Sequence, residues 1–126
     1  DNQPLTIFGE GDQVRDYVYI EDIVTFFEKA CISEIINNSI YNMGTGKGTT
    51  IKEIIEILTK TLGIEPKIEH KPLRPGEIGN FVSDISHVKS LFGNVPKTTV
   101  VEGLEKTVNW LKNHWTKIMD NFFVNR

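Results

Sequence analysis

The segment from Thr50 to Gly63 constrains the fold of this chain more than any other part of the sequence. Thr50-Ile51-Lys52-Glu53 matches a capping box, in which a hydroxyl and a carboxylate satisfy free backbone amides at the start of a helix. Apolar side chains then recur at helical spacing, at Ile51, Ile54, Ile55, Leu58 and Leu62. Gly63 supplies the left-handed residue that commonly ends a helix. The pattern therefore predicts an amphipathic helix whose apolar face needs a partner surface.

Short strands and further helices are predicted on both sides of this helix. Apolar runs rich in β-branched and aromatic residues predict strands at residues 5–8, 17–20, 40–43, 67–71 and 81–83. Helical spacing and capping residues predict three more helices: residues 22–35, a brief helix capped by Asp84 or Ser86 and ending near Phe92, and a long helix from Thr98 or Thr99 through Trp115. We expect a mixed α/β (α+β) fold, with one domain over residues 1–115 and an apolar tail, residues 116–126, that packs on another surface.

The first of these helices has an apolar side, formed by Ile23, Phe26, Phe27, Ala30 and Cys31. Cys31 is the single cysteine, which excludes an internal disulfide and most cysteine-based zinc sites. We interpret Cys31 as a packing residue of that apolar side rather than as a nucleophile. This cysteine usage predicts a cytoplasmic protein.

The charge balance and the polar composition exclude several classes of partner. Fourteen Lys and Arg stand against seventeen Asp and Glu, a net charge of −3, which argues against a general electrostatic attraction to nucleic acid or to an anionic membrane. No apolar run approaches the roughly 18 to 20 residues that a membrane-spanning helix needs. His70, His87 and His114 have no histidine partner at helical spacing, so no metal site is predicted.

A glycine-rich stretch from Gly44 to Thr50 invites comparison with phosphate-binding loops. The P-loop requires a Ser or Thr directly after its lysine, whereas Gly48 follows Lys47 here. The dinucleotide-binding pattern requires a further glycine where Thr49 stands. The stretch is therefore interpreted as a tight turn before the capped helix.

Arginine is rare in this sequence, with three arginines against eleven lysines. Arg15 and Arg74 lie in loops or at loop edges. A planar guanidinium binds phosphate through two parallel hydrogen bonds, which a lysine cannot reproduce, so two of them could hold a diphosphate. Alternatively, each arginine pairs with a nearby acid at the surface, Asp16 or Glu77. The spacing alone leaves both interpretations open.

These arginines fall within an ordered set of motifs: Pro4 to Gly9 with Gly11, Arg15 to Asp22, Tyr41 to Gly46, Arg74-Pro75-Gly76-Glu77 with Ser83 to Ser86, and Glu102-Gly103-Leu104 on the last helix. In this order they resemble the C-terminal, substrate-binding portion of the NAD-dependent nucleotide-sugar epimerases and dehydratases. These are extended short-chain dehydrogenase/reductases, and the UDP-glucose 4-epimerases are the nearest type. The resemblance covers residues 4–112.

The resemblance implies roles for five residues. Arg15 and Arg74 would bind the pyrophosphate of a nucleoside diphosphate sugar, such as a UDP-sugar or a dTDP-sugar. Glu77 would lie near the ribose, where the family usually has Asp. Thr6 and Phe8 would lie along the base and contact it largely through their backbone.

The resemblance also implies which parts of the enzyme lie outside this chain. NAD would be bound by an N-terminal Rossmann core that this chain lacks, and the family's catalytic Tyr-x-x-x-Lys pair would lie there too. No tyrosine here has a lysine four residues later, so we expect no catalytic residue and no activity from this chain alone. The helix at Asp22 and the segment at Tyr41 would pack on that core, so the isolated chain would expose apolar surface.

Three alternatives remain at this point. In the first, the parent enzyme is a 4,6-dehydratase rather than an epimerase. In the second, the chain is a noncatalytic nucleotide-binding or interaction module. In the third, it is a small structural protein that self-associates. The sequence also leaves a homo-oligomer open, and it predicts neither a nucleic acid nor a membrane as partner.

Overall fold

Four helices and five short strands form the part of the chain that the structure, a computed structural model, describes: residues 3–34, 40–93 and 96–123. The expected mixture of helices and strands is confirmed. In chain order the elements are β1 (Leu5–Phe8), β2 (Val14–Arg15), α1 (Ile20–Ile32), β3 (Thr49–Thr50), α2 (Ile51–Leu62), β4 (Ile68–Lys71), β5 (Asn80–Phe81), α3 (Ser86–Phe92) and α4 (Val100–Phe123).

The strands form two small sheets. Strand β1 pairs with β4 in parallel, with Leu5 opposite Ile68 and Phe8 opposite Lys71. Strand β2 lies at the centre of the second sheet, antiparallel to β3 and parallel to β5. Because β1 and β2 are joined by a short glycine-containing turn, the ends of the two sheets lie side by side.

The predicted amphipathic helix is confirmed as α2. The Thr50 hydroxyl accepts a hydrogen bond from the Glu53 amide at 3.1 Å, and the Thr50 amide donates to the Glu53 carboxylate at 2.7 Å. Gly63 adopts φ 66° and ends the helix. The apolar face of α2 packs on α4, where Val108 is buried.

A second apolar cluster joins α1 to α3. Phe26 and Val88 are buried, and Phe92, Tyr41 and Met43 pack against them. The rings of Phe26 and Phe92 meet edge to face, with centroids 5.6 Å apart. This cluster fixes the segment from residue 40 to 43 against the helices.

Two predicted strands are wrong. Residues 17–19 form no strand, and Ile20 already begins α1; the side chain of Tyr19 packs closely against Gly103 of α4 instead. Residues 40–43 are also irregular, because Tyr41 and Met43 are held by the cluster around Phe26 rather than by a neighbouring strand. Strand propensity reports a half-buried apolar surface, which an irregular segment can also provide.

Helix α1 differs from the prediction in its start and in its buried face. It begins at Ile20 rather than Asp22, and the predicted end at residue 35 lies outside the described residues. Phe27 and Cys31, expected on the inner side, are exposed. They continue a stripe with Ile20 and Val24 that no described residue covers. The resemblance implied such a surface for this helix.

The last strand and the last two helices differ from the prediction mainly at their ends. Strand β5 begins one residue earlier and ends two residues earlier than the predicted strand at 81–83. Asp84 accepts a hydrogen bond from the Ser86 amide at 2.9 Å just before α3. Helix α4 starts after Thr99, whose amide donates to Glu102 at 2.9 Å. It continues to Phe123 rather than ending at Trp115, so residues 116–123 of the predicted tail belong to the helix. The predicted packing of the tail side chains lies outside the described residues. No helix in the described ranges combines the length and the hydropathy needed to cross a membrane.

Candidate functional site

All five residues to which the resemblance assigns a binding role line one surface cavity of about 340 Å³. Thr6 and Phe8 come from β1, Arg15 comes from β2, and Arg74 and Glu77 come from the loop between β4 and β5. The remaining lining residues are Ile7, Gln13, Tyr17 and Ile51. Segments distant in sequence therefore meet in one place that is open to a ligand.

The loop that carries Arg74 and Glu77 is held by its own turn chemistry. Phe8 lies opposite Lys71 in the β1–β4 ladder, so the loop begins directly beside Phe8. The Glu77 amide donates to the Arg74 carbonyl at 3.1 Å, and Gly76 has φ 79°. Proline in the second position and glycine at positive φ in the third define a type II turn. The turn therefore keeps Arg74 and Glu77 close together at the cavity.

Arg74 lines the cavity, with its guanidinium over the ring of Phe8. Its Cζ atom lies 3.9 Å from the ring centroid, a cation–π contact that holds the guanidinium beside Phe8. No carboxylate of the described residues lies within ion-pair distance of Arg74. A planar group with five N–H donors and no carboxylate partner among the described residues is a receptor for an anion.

Arg15 is partly engaged within the protein. One terminal nitrogen donates to the Val14 carbonyl at 2.8 Å, and the other donates to Glu77 Oε1 at 3.0 Å. The Arg15 and Glu77 side chains are 29% and 25% exposed. These two bonds leave three of the five N–H donors of a guanidinium. The alternative interpretation, an ion pair with an acid at the surface, therefore holds for part of the Arg15 guanidinium. The acid is Glu77 rather than Asp16.

Phe8 is expected to act on ligand binding through Arg74. Replacing Phe8 with Leu keeps an apolar side chain but removes the ring face, which at an exposed site contributes about 0.5 to 1 kcal/mol. We expect the affinity for UDP to fall about two- to fivefold, measured by calorimetric titration. The control is Phe81→Leu, which changes an exposed ring outside the cavity. An equal loss from Phe8→Leu in a chain that already carries Arg74→Ala would contradict this role.

Asp16 anchors the strand that carries Arg15. Its carboxylate accepts hydrogen bonds from the amides of Thr45 at 2.8 Å, Gly46 at 3.0 Å and Ser83 at 3.3 Å, and from the Thr45 hydroxyl. Burial raises the pKa of Asp16, but these hydrogen bonds outweigh it and hold the pKa below its ordinary value of 3.8. A Cβ at Gly44 would come within 2.4 Å of this carboxylate, so the cluster requires glycine there.

The glycine-rich stretch does not fit the diphosphate of NAD. The amides of Thr45 and Gly46 donate to Asp16, and the Lys47 amide donates to the Thr45 hydroxyl at 3.0 Å. A carboxylate thus already occupies the donors that a phosphate would need, so the stretch is a structural turn. Within the described ranges, no three His, Cys, Asp or Glu side chains are grouped so as to hold a metal ion.

Sequence reasoning missed two polar residues of the cavity. The Gln13 side chain donates to the Phe8 carbonyl, and its Oε1 is buried without a partner among the described residues. Tyr17 borders the cavity, where burial raises its pKa more than the charge of Arg15 lowers it. The phenol is therefore protonated at neutral pH. Gln13 ends the glycine-containing turn that follows Phe8. This position is the sequence signal that could have identified Gln13 as a cavity residue.

Comparison with known sequences gives a family match over most of the chain. The family described as GDP-mannose 4,6 dehydratase matches residues 1–107. The UDP-glucuronate 4-epimerase of Thermodesulfobacterium geofontis is 35% identical over 117 residues, which is 90% of this chain and 35% of that protein. The chain therefore spans about a third of the length of this relative.

Solved structures also match most of this chain and about a third of their own length. UDP-glucose 4-epimerase of Thermotoga maritima, determined with UDP-glucose, has a TM-score of 0.81 and 33% identity and matches 90% of this chain and 36% of its own. UDP-glucuronic acid 4-epimerase of Bacillus cereus, in complex with UDP-glucuronic acid and NAD, has a TM-score of 0.81 and 31% identity, over 89% of this chain and 36% of its own. In each of these two enzymes the matched region is about a third of the chain.

Proposed function

The chain belongs to the GDP-mannose 4,6-dehydratase family of NAD-dependent nucleotide-sugar epimerases and dehydratases, and from this membership we propose that it holds the nucleoside diphosphate of a nucleotide sugar. In this proposal it is the C-terminal part of a UDP-sugar 4-epimerase, with a 4,6-dehydratase as the alternative. The NAD site and the catalytic Tyr-x-x-x-Lys pair belong to a part of the enzyme outside this chain. The chain alone is inactive.

One observation carries the proposal: two arginines from different segments line the same cavity, and Arg74 has no acid partner among the described residues. In the proposed complex Arg74 and the free donors of Arg15 bind the two phosphates, while the backbone of Thr6 and Phe8 borders the base. Glu77 keeps one oxygen on Arg15, and its other oxygen can accept from a ribose hydroxyl. Binding the remote diphosphate would orient the sugar for the reaction.

The same proposal accounts for the exposed stripe on α1. Ile20, Val24, Phe27 and Cys31 lie at helical spacing on one exposed face, which suits contact with the nucleotide-binding domain of the parent enzyme. A cytoplasmic location agrees with the single unpaired cysteine. A homo-oligomer of the parent enzyme is also part of the proposal, and the mass of the intact enzyme in solution tests it.

Calorimetric titration of the 126-residue chain tests the proposed function. UDP, dTDP and GDP are titrated separately, and NAD is the control because it also contains a diphosphate. We expect one nucleoside diphosphate to bind with a dissociation constant of about 10 µM to 1 mM and NAD to bind more weakly. The preferred ligand identifies the base that the site recognises.

Two outcomes would count against the proposal. Absence of binding by all three nucleoside diphosphates would show that this chain does not by itself carry the diphosphate site. Equal binding of NAD and the three diphosphates would indicate an unspecific anion site and would contradict recognition of a nucleotide sugar.

A further inference from the structure

Two positive charges in the cavity are opposed by one negative charge. The ionisable side chains that line it are Arg15, Arg74, Glu77 and Tyr17, and Tyr17 is neutral at pH 7, as a tyrosine ordinarily is. Glu77 Oε1 lies 3.0 Å from the Arg15 guanidinium. A phosphate bound to the free donors of Arg15 would therefore be close to a fixed carboxylate as well as to a guanidinium.

We propose that Glu77 selects ligands by charge, favouring a diphosphate esterified to a sugar over a free nucleoside diphosphate or triphosphate. This inference rests on the proposed function. In a nucleotide sugar each phosphate carries a single negative charge, and the two guanidiniums match the two charges. The unesterified terminal phosphate of a free nucleotide carries about −1.5 to −2 at neutral pH. Glu77 repels that additional charge.

The separation of the charges makes the effect measurable. The guanidinium of Arg15 would lie between Glu77 and the phosphate, which places the two negative groups about 6 Å apart. Repulsion at that distance is substantial at an effective dielectric constant of about 20 and about fourfold weaker in bulk water. Because both side chains are partly exposed, we expect roughly a fivefold effect for each added charge, equivalent to about 1 kcal/mol.

Glu77 could instead only orient Arg15, and a single variant distinguishes the two roles. Glu77→Gln keeps an oxygen that accepts from Arg15 but removes the negative charge. If orientation is the whole role, this variant changes the affinity for every diphosphate by the same factor. If Glu77 selects by charge, the change depends on the charge of the ligand.

The experiment measures the affinities of the full chain for UDP-glucose, UDP and UTP by calorimetric titration. In Glu77→Gln we expect the affinity for UDP to rise about fivefold relative to that for UDP-glucose, and the affinity for UTP to rise further. Glu77→Asp should retain the unmodified ratios because it retains the charge. Glu21→Gln is the matched control: it removes the same charge from an ion pair with Lys106, N–O distance 3.5 Å, outside the cavity.

Each outcome separates this inference from the proposed function. A ratio of UDP to UDP-glucose affinity that is the same in the unmodified chain and in Glu77→Gln would overturn charge selection while leaving the diphosphate site in place. An equal rise in Glu21→Gln would attribute the effect to net charge and would also overturn it. Absence of binding by the unmodified chain would overturn the proposed function.

Discussion

Replacing Arg74 with alanine is expected to lower the affinity of this chain for its nucleoside diphosphate by about 30-fold, equivalent to about 2 kcal/mol. Arg74 lies over the ring of Phe8 and has no acid partner among the described residues, so its donors are available to the ligand and are lost in the variant. Hydrogen bonds between ions contribute about 1.5 to 3 kcal/mol each, and the estimate is reduced here because Arg74 is exposed. Calorimetric titration with UDP and dTDP measures the effect.

Two further variants make this result specific. Arg74→Lys keeps the charge but not the paired donors, so an intermediate affinity is expected. Lys106→Ala is the control, because Lys106 also lies over an aromatic ring, that of Tyr19 at 4.9 Å, but outside the cavity. Arg15→Ala should also weaken binding. In the intact enzyme both arginine variants should raise the Michaelis constant for the nucleotide sugar and leave NAD retention nearly unchanged. Unchanged affinity in Arg74→Ala would refute the assignment of the diphosphate site.

Replacing Asp16 with asparagine is expected to lower the free energy of unfolding by about 2 to 3 kcal/mol. The new amide would direct N–H donors toward the backbone donors of Gly46 and Ser83, which now donate to the carboxylate. Solvent reaches part of this group, which moderates the loss. Urea unfolding followed by circular dichroism measures it. Asp84→Asn is the control, since Asp84 is exposed and, among the described residues, bonds only to Ser86 two residues away; its effect should be smaller.

The same carboxylate should make the fold sensitive to acid. The pKa of Asp16 is lower in the folded chain than its ordinary value of 3.8, so its stabilisation is complete above about pH 5 and is lost as the pH falls through the folded pKa. Asp16→Asn should therefore lose less stability between about pH 7 and pH 3 than the unmodified chain. Asp22 contributes in the same direction, because hydrogen bonds from Lys97 and Thr98 outweigh its burial and lower its pKa. An equal loss in both proteins would contradict the role of Asp16.

The sequence predicted well those features that depend on neighbouring residues. The capping box at Thr50 and Glu53 and the ending at Gly63 each involve contacts within four residues, and all of them occur in the structure. The two strand predictions failed because contacts between distant segments decide the conformation there. Residues 17–20 and 40–43 carry strand-forming side chains, but packing of Tyr19 on α4 and of Tyr41 near Phe26 decides their conformation.

In the candidate site, too, the sequence identified what neighbouring residues encode and missed what depends on contacts between distant segments. Sequence motifs identified Arg15, Arg74 and Glu77 as a group, because the motifs mark the segments that carry them. They did not indicate which acid pairs with which arginine, and they missed Gln13 and Tyr17. A cavity lining is a set of contacts between distant segments, and its members have no regular spacing along the chain.

The sequence by itself determined the helix α2 and the family to which the motifs belong, because both are encoded in short stretches of residues. Only the tertiary structure decided that Arg15 pairs with Glu77, 62 residues away, and that Arg74 lies on the ring of Phe8. The physical reason is that the pairing of β1 with β4 brings the loop onto the end of β1. Charge and ring contacts then form according to distance in space rather than in sequence.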